Sequence, residues 1–175
     1  MNKIKGHNGP FLFGGCRVKK VVVVETLRLA LEKKLYEAQA AADSARMDAI
    51  HEQSAAETQY DSLSIESGYL AEGQSERVEQ AHFAINAFES VFKTDKISSV
   101  VEGALVKLSD EEGDLYWYFI GPTEGGLKVT ISNTQILVLT LQSPLGQVLK
   151  GKQLDDEVEF DFNGSKQFFY IDEII

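Results

Sequence analysis

Residues 60–71, YDSLSIESGYLA, interrupt a long helical pattern and lie midway between two heptad-patterned segments. From Met47 to Glu76 the chain carries seven acids (Asp48, Glu52, Glu57, Asp61, Glu66, Glu72 and Glu76) and no Lys or Arg. If the flanking segments fold back on each other, this stretch is the far tip of a hairpin. The expectation is that the tip presents carboxylates to something outside the protein. The rest of the chain then supplies a rod to carry the tip and a domain to dock the rod.

The rod is legible on both sides. Residues 25–59 read as one helix, in which Leu27, Leu31, Leu35, Ala38, Ala42, Ala45 and Ala49 recur at spacings of three and four. Good helix formers dominate, and neither Pro nor Gly intervenes. The seam changes from leucine to alanine toward the tip, so the distal part of the hairpin is expected to be thin. A second helix is expected over residues 66–92, with Val78, Ala81, Ile85, Phe88 and Phe92 as its seam and Ser62 or Ser64 as its cap. Antiparallel pairing sets Phe88 and Phe92 beside Leu27, Leu31 and Leu35, and small residues beside small ones near the tip.

After residue 95 the periodicity changes. Short apolar or alternating runs occupy residues 100–108, 115–120, 127–132, 136–141, 158–162 and 167–171. DEEGD at 110–114, GPTEGG at 121–126 and NGS at 163–165 separate them, and Asn163-Gly164 is a strong hairpin signal. In SPLGQVL, residues 143–149, Ser143 is placed to cap a short helix with Pro144 at its first position. The expected fold class is α+β: a helical hairpin, then a small, mainly antiparallel sheet with one short helix. Trp117, Phe119, Phe160, Phe162, Phe168 and Tyr170 are its expected core. The expected division is a flexible basic leader at 1–24, the hairpin at 25–95 and the β domain at 96–175. Translation starting inside the valine run 21–24 is an alternative for the leader.

Composition narrows the function. The net charge is −10, and the first 24 residues hold five Lys/Arg and no acid, which leaves −15 for the remainder. Such a surface repels phosphate backbones, so independent DNA or RNA binding is not expected and a basic partner is. One cysteine, Cys16, excludes an internal disulfide framework and any Cys-based zinc site, and suits a reducing cytosol. No apolar run approaches transmembrane length. His7, His51 and His82 have no metal-ligand spacing, and no phosphate-binding glycine loop is present.

The segment SPLGQVLKGKQLDDEVEF, residues 143–160, resembles the C-terminal domain of the Gre transcript-cleavage factors, GreA and GreB. The hairpin, with DSLSIESGY at its tip, is similar in layout to their N-terminal coiled coil. The resemblance covers about residues 25–175. It implies an FKBP-like β domain that docks on bacterial RNA polymerase through Ser143, Pro144, Leu145 and Gly146. It further implies that the coil enters the polymerase secondary channel and that Asp61 and Glu66 assist the Mg²⁺ of the polymerase active site. Mg²⁺ prefers carboxylate and water ligands, and two metals can stabilise attacking and leaving oxygens in phosphodiester cleavage. A protein of this kind is not itself an enzyme and needs no cofactor of its own. It is cytoplasmic and monomeric, with RNA polymerase as partner, and it meets nascent RNA only inside that complex, with no independent DNA binding and no membrane.

The tip departs from the family. Its pattern is roughly D-L-K-E-N-A-E-Y, whereas Asp61 and Glu66 are five apart and Gly68 replaces the acid before the tyrosine. The coil carries few basic residues: Arg28, Lys33, Lys34, Arg46 and Arg77. A non-cleaving occupant of the same channel and a coiled-coil adaptor that dimerises through its Ala/Leu seam are the alternatives. An FKBP-like fold carries no isomerase activity by itself.

Overall fold

The computed structural model describes residues 18–55, 61–94, 97–162 and 164–175, without the side chains of 49, 51–55, 61–68 and 162. Helix α1 spans Lys20–Ala55 and α2 spans Asp61–Val91. At 36 and 31 residues they reach roughly 54 and 46 Å. They run antiparallel. Lys20 Nζ donates to the Thr94 carbonyl at 3.0 Å, Arg28 Nε to Glu89 Oε1 at 2.6 Å and Arg46 Nη2 to Ser75 Oγ at 3.3 Å.

Both helices start five residues earlier than the periodicity predicts. The valine run is the first turn of α1 rather than the end of a leader, because Val23 is fully buried and Val24 packs beside it. Burial there outweighs the weak helix propensity of valine. Residues 61–71, expected to interrupt the helices, are already α2, with Asp61 as its first residue. An acid in a first turn is favoured by the helix dipole, and Gly68 and Gly73 do not break the helix.

The seam is largely as predicted. Leu27, Leu31, Ala42, Ala45, Ala81 and Phe88 are buried, whereas Leu35, Ala38, Val78, Ile85 and Phe92 are half-buried. Ala84, absent from the predicted seam, is also buried. The seam is filled from within the chain, α1 against α2.

The β domain is one six-stranded sheet in the order β3-β4-β2-β1-β6-β5. Its strands are β1 Leu105–Asp110, β2 Leu115–Gly121, β3 Lys128–Ile131, β4 Thr134–Thr140, β5 Glu157–Phe162 and β6 Ser165–Ile174, with helix α3 at Pro144–Leu149. All neighbours are antiparallel except β2 and β4, which pair in parallel from Trp117↔Ile136 to Gly121↔Thr140. Ser132 and Asn133, both at positive φ, make the two-residue turn from β3 to β4. The turn predicted at 163–164 joins β5 to β6, with Phe162 opposite Ser165 and Gly164 at φ +81°; Asn163 lies outside the described residues. The first strand starts at Leu105 rather than at 100. Gly103 there turns the chain at φ +88°, so close to the end of α2 that a Cβ would sit 2.6 Å from the Val91 carbonyl oxygen.

The sheet is covered on both faces, and its period-two alternation divides the core. Leu105, Phe119, Ile136 and Val138 face the hairpin base, where they meet Val23, Leu27, Leu31, Ala84 and Phe88. Val106, Leu108, Ile120, Leu139, Val158, Phe169 and Ile171 lie in the second cluster with Leu149 of α3. The expected aromatic core needs correction along β6. Phe169 and Ile171 are buried, whereas Phe168 is half-buried and Tyr170 is 40% exposed. One residue of phase in a strand exchanges the two faces. Trp117 and Phe160 are half-buried, and the side chain of Phe162 lies outside the described set.

The joint between stem and sheet rests on three rings. Phe88 stacks on Phe119 at 6.1 Å, and Phe92 meets Phe88 at 5.5 Å and Phe119 at 5.8 Å. Gly121 makes the room: a Cβ there would lie 2.8 Å from both the Phe88 ring and Val138 Cγ1. Lys34 of α1 also forms an ion pair with Glu124 in the loop after β2. Truncating Phe88, which is wholly buried, to alanine is expected to cost about 3–5 kcal/mol in chemical denaturation. Gly121→Ala should also destabilise, through displacement of the Phe88 ring.

Candidate functional site

The residues singled out for function fall at two places. Asp61 and Glu66 belong to the first turns of α2, and their side chains lie outside the described set. The pairing of Lys20 with Thr94 and of Arg46 with Ser75 puts those turns at the end of the hairpin away from the sheet. Around them the described surface is acidic and partly apolar. Asp48, Glu72 and Glu76 are exposed, as are Met47, Ile50, Tyr69 and Leu70. Arg46 is the last base of α1, and it already donates to Ser75 and lies 4.0 Å from Asp43. Among the described residues, no group of three or more His, Cys, Asp or Glu side chains is placed to hold a metal ion.

Ser143, Pro144, Leu145 and Gly146 lie at the start of α3, on the sheet face opposite the helical stem. The local fold follows from the four residue types. Ser143 is extended at φ −68° and ψ 155°; its hydroxyl accepts from Gly146 N–H at 3.2 Å and donates to the Thr140 carbonyl at 2.7 Å. This binds the first turn of α3 to the end of β4 and satisfies one otherwise unpaired N–H. Pro144 sits exposed at the first helical position, where its missing N–H costs nothing. Leu145 packs partly into the second core cluster. Gly146 is obligatory, since a Cβ would meet the Thr140 carbonyl oxygen at 2.0 Å. Pro144 and the 36%-exposed Val148 are left facing outward, so α3 is a rigid, small apolar projection.

The two places are linked through the stem. Arg28 bridges the helices, donating to Glu89 and to Glu25, and lies 5.4 Å from the centre of the Phe92 ring. The Arg28 hydrogen bond holds the Glu89 carboxyl below its ordinary range, against a smaller opposing effect of burial. The joint that orients the stem was not anticipated from the sequence. Gly121 directly before Pro122 is the one local sign of a close approach there.

No family model matches the chain, and no curated protein matches it. Solved structures do. The Gfh1 protein of Thermus thermophilus, a GreA factor homologue, is 18% identical over 85% of this chain and 94% of that one, at a TM-score of 0.34. Gfh1 of Thermus aquaticus is 18% identical over 83% and 91%, at 0.35. The elongation factor GreA/GreB of Nitrosomonas europaea is 16% identical over 57% and 92%, at 0.33. Values this low assign no family. No helix among the described residues is long and apolar enough to cross a membrane.

Two measurements probe the local assignments. Ser143→Ala should lower stability by about 1 kcal/mol in thermal melts, through loss of the cap. Because the Glu89 pKa is depressed, its contribution is present above the ordinary carboxylate range and is lost as pH falls through the lowered value. Arg28 and Glu89 are each about one-third exposed, so that contribution is held to about 1 kcal/mol or less. Glu89→Gln should therefore melt slightly below wild type at neutral pH, and the gap should close on acidification.

Proposed function

We propose that this chain is a Gre-type elongation factor of bacterial RNA polymerase. Its β domain docks through Ser143, Pro144, Leu145 and Gly146, and its hairpin enters the secondary channel. The stem is the observation that carries this reading. Two antiparallel helices are seated on a sheet at one end, and residues 47–55 and 61–76, in their other halves, carry no Lys or Arg. A rod of this form brings carboxylates to a reaction centre that belongs to another molecule, and it needs no catalytic pocket of its own. The resemblance of residues 143–160 supplies the identity of that molecule.

In this reading Asp61 and Glu66 help to hold Mg²⁺ and water in the polymerase active site, and the polymerase itself cleaves backtracked RNA. The chain binds no cofactor of its own and meets RNA only within the complex. It works as a monomer in the cytoplasm. One observation favours a second reading, in which the hairpin occupies the channel without promoting cleavage. Helix α2 already includes Asp61, so both acids belong to one helix, five residues apart, with Gly68 where the family has an acid.

Pull-down with core polymerase, followed by a transcript-cleavage assay on backtracked complexes, tests both readings. Binding with shortened RNA, lost in Asp61→Ala/Glu66→Ala, is the expected outcome. Binding without shortening selects the second reading, and failure to bind polymerase rejects both. Gly146→Val, which cannot keep the first turn of α3, should abolish binding while the hairpin remains helical by circular dichroism.

A further inference from the structure

Strand β5 ends the sheet, and among the described residues no strand lies beyond it. The phase of its ladder fixes which backbone groups are left over. Ile171 N–H donates to the Asp156 carbonyl at 3.1 Å, and Asp155 N–H donates to the Ile171 carbonyl at 3.0 Å. Backbone direction alternates along a strand, so Phe169 and Gln167 also turn toward β5, where they oppose Val158 and Phe160. Glu157, Glu159 and Asp161 therefore aim their N–H and C=O groups away from the sheet. One of these groups is taken, because Lys152 Nζ donates to the Glu157 carbonyl at 3.3 Å. An open row of this kind is a template for another strand.

Side chains add to the backbone along this edge. A cleft of about 410 Å³ straddles β5. Val148 of α3 and Val158 line it from one face of the sheet, and Glu159 and Phe168 from the other. Its apolar walls suit an aliphatic side chain. Glu157, Glu159 and Asp161 are exposed on the face away from α3. Lys166 of β6 pairs with Glu159, but this pair is solvent-exposed, contributes little and leaves the outer backbone uncovered.

Charge decides what can pair here. Acids on an edge strand are an ordinary guard against self-association. Antiparallel pairing with β5 of a second copy, which keeps both sheets in one surface, sets carboxylates opposite carboxylates and is destabilised. The net charge of −10 adds to the repulsion. A strand with Lys or Arg on that face and aliphatic residues on the other meets no such conflict.

We propose that the free edge of β5 is a strand-addition site for an extended basic segment of another protein. The segment lies along residues 157–161 and is held by main-chain hydrogen bonds to Glu159 and Asp161. Its basic side chains, at alternate positions, meet the carboxylates, and an aliphatic one between them enters the cleft beside Val148. The inference does not rest on the polymerase reading.

The probe is a nine-residue synthetic peptide in which lysine alternates with valine. A twin with glutamate for lysine is the control. Binding to the full chain is followed by fluorescence anisotropy, and amide hydrogen exchange by NMR. The lysine peptide should bind at least about tenfold more tightly than its twin. It should protect the Glu159 and Asp161 amides, which exchange freely without it, whereas Val158 and Phe160 are protected throughout. Glu157→Gln/Glu159→Gln should weaken binding severalfold and flatten its salt dependence, while Glu111→Gln/Glu112→Gln, in the exposed turn after β1, should leave it unchanged. Glu159→Pro removes an outward N–H that β6 does not use, so it should abolish binding with the ladder to β6 intact. Equal binding of the two peptides, binding that leaves the Glu159 and Asp161 amides unprotected, or wild-type binding by Glu159→Pro would overturn the proposal. So would a stable dimer that Glu159→Pro dissolves, since a second copy would then be the occupant.

Discussion

The contact between the Phe88 ring and Phe119, in the space that Gly121 leaves open, turns two elements into one body. Without it the hairpin is a pair of amphipathic helices with an alanine seam, and the sheet is left with one face bare. Alanine seams contribute little burial per turn, so a long thin hairpin gains most of its stability at its base. That is where the bulky residues lie: Val23, Leu27, Leu31, Phe88 and Phe92. The chain therefore divides its side chains by position, with size at the joint and small residues beyond it. A slender distal part requires an anchored proximal one.

The same joint sets the direction of the stem. Three kinds of interaction restrain its direction. The ring cluster excludes water, the Lys34–Glu124 pair ties α1 to the loop after β2, and Arg28 with Glu89 holds α1 against α2. The two ion pairs are partly exposed and contribute little energy, but they favour one register over its neighbours. The ring cluster supplies the larger stabilisation. On the opposite face of the sheet α3 is fixed just as firmly by Ser143 and Gly146. Helix α3 and the stem are thus carried on one scaffold, on opposite faces of the sheet.

Much of this fold was readable from local pattern. Heptad spacing and helix propensity located both helices and most of their seam, and alternation with turn residues located six strands and α3. What escaped was non-local. The parallel pairing of β2 with β4 depends on β3 folding back outside β4, which no local pattern specifies. The phase of β6 was misjudged because QFFY offers aromatic side chains to both faces, and Phe169 rather than Phe168 is the one buried. The starts of both helices were set five residues late, since valines and a serine-rich stretch read as poor helix until packing and the helix dipole are considered. At the candidate site, residues 143–146 were legible through their cap chemistry, whereas the joint was not. Of that joint the sequence displays only a glycine before a proline.

The account's central claim is that the stem is held by the sheet in one direction. Distance measurement by double electron–electron resonance tests it most directly. Spin labels at Glu72 on the distal stem and Lys128 on β3, in a Cys16→Ser background, occupy exposed positions, one on the stem and one on the sheet. The account predicts a single narrow distance distribution. A broad or two-population distribution, showing a stem that swings on the β domain, would contradict it.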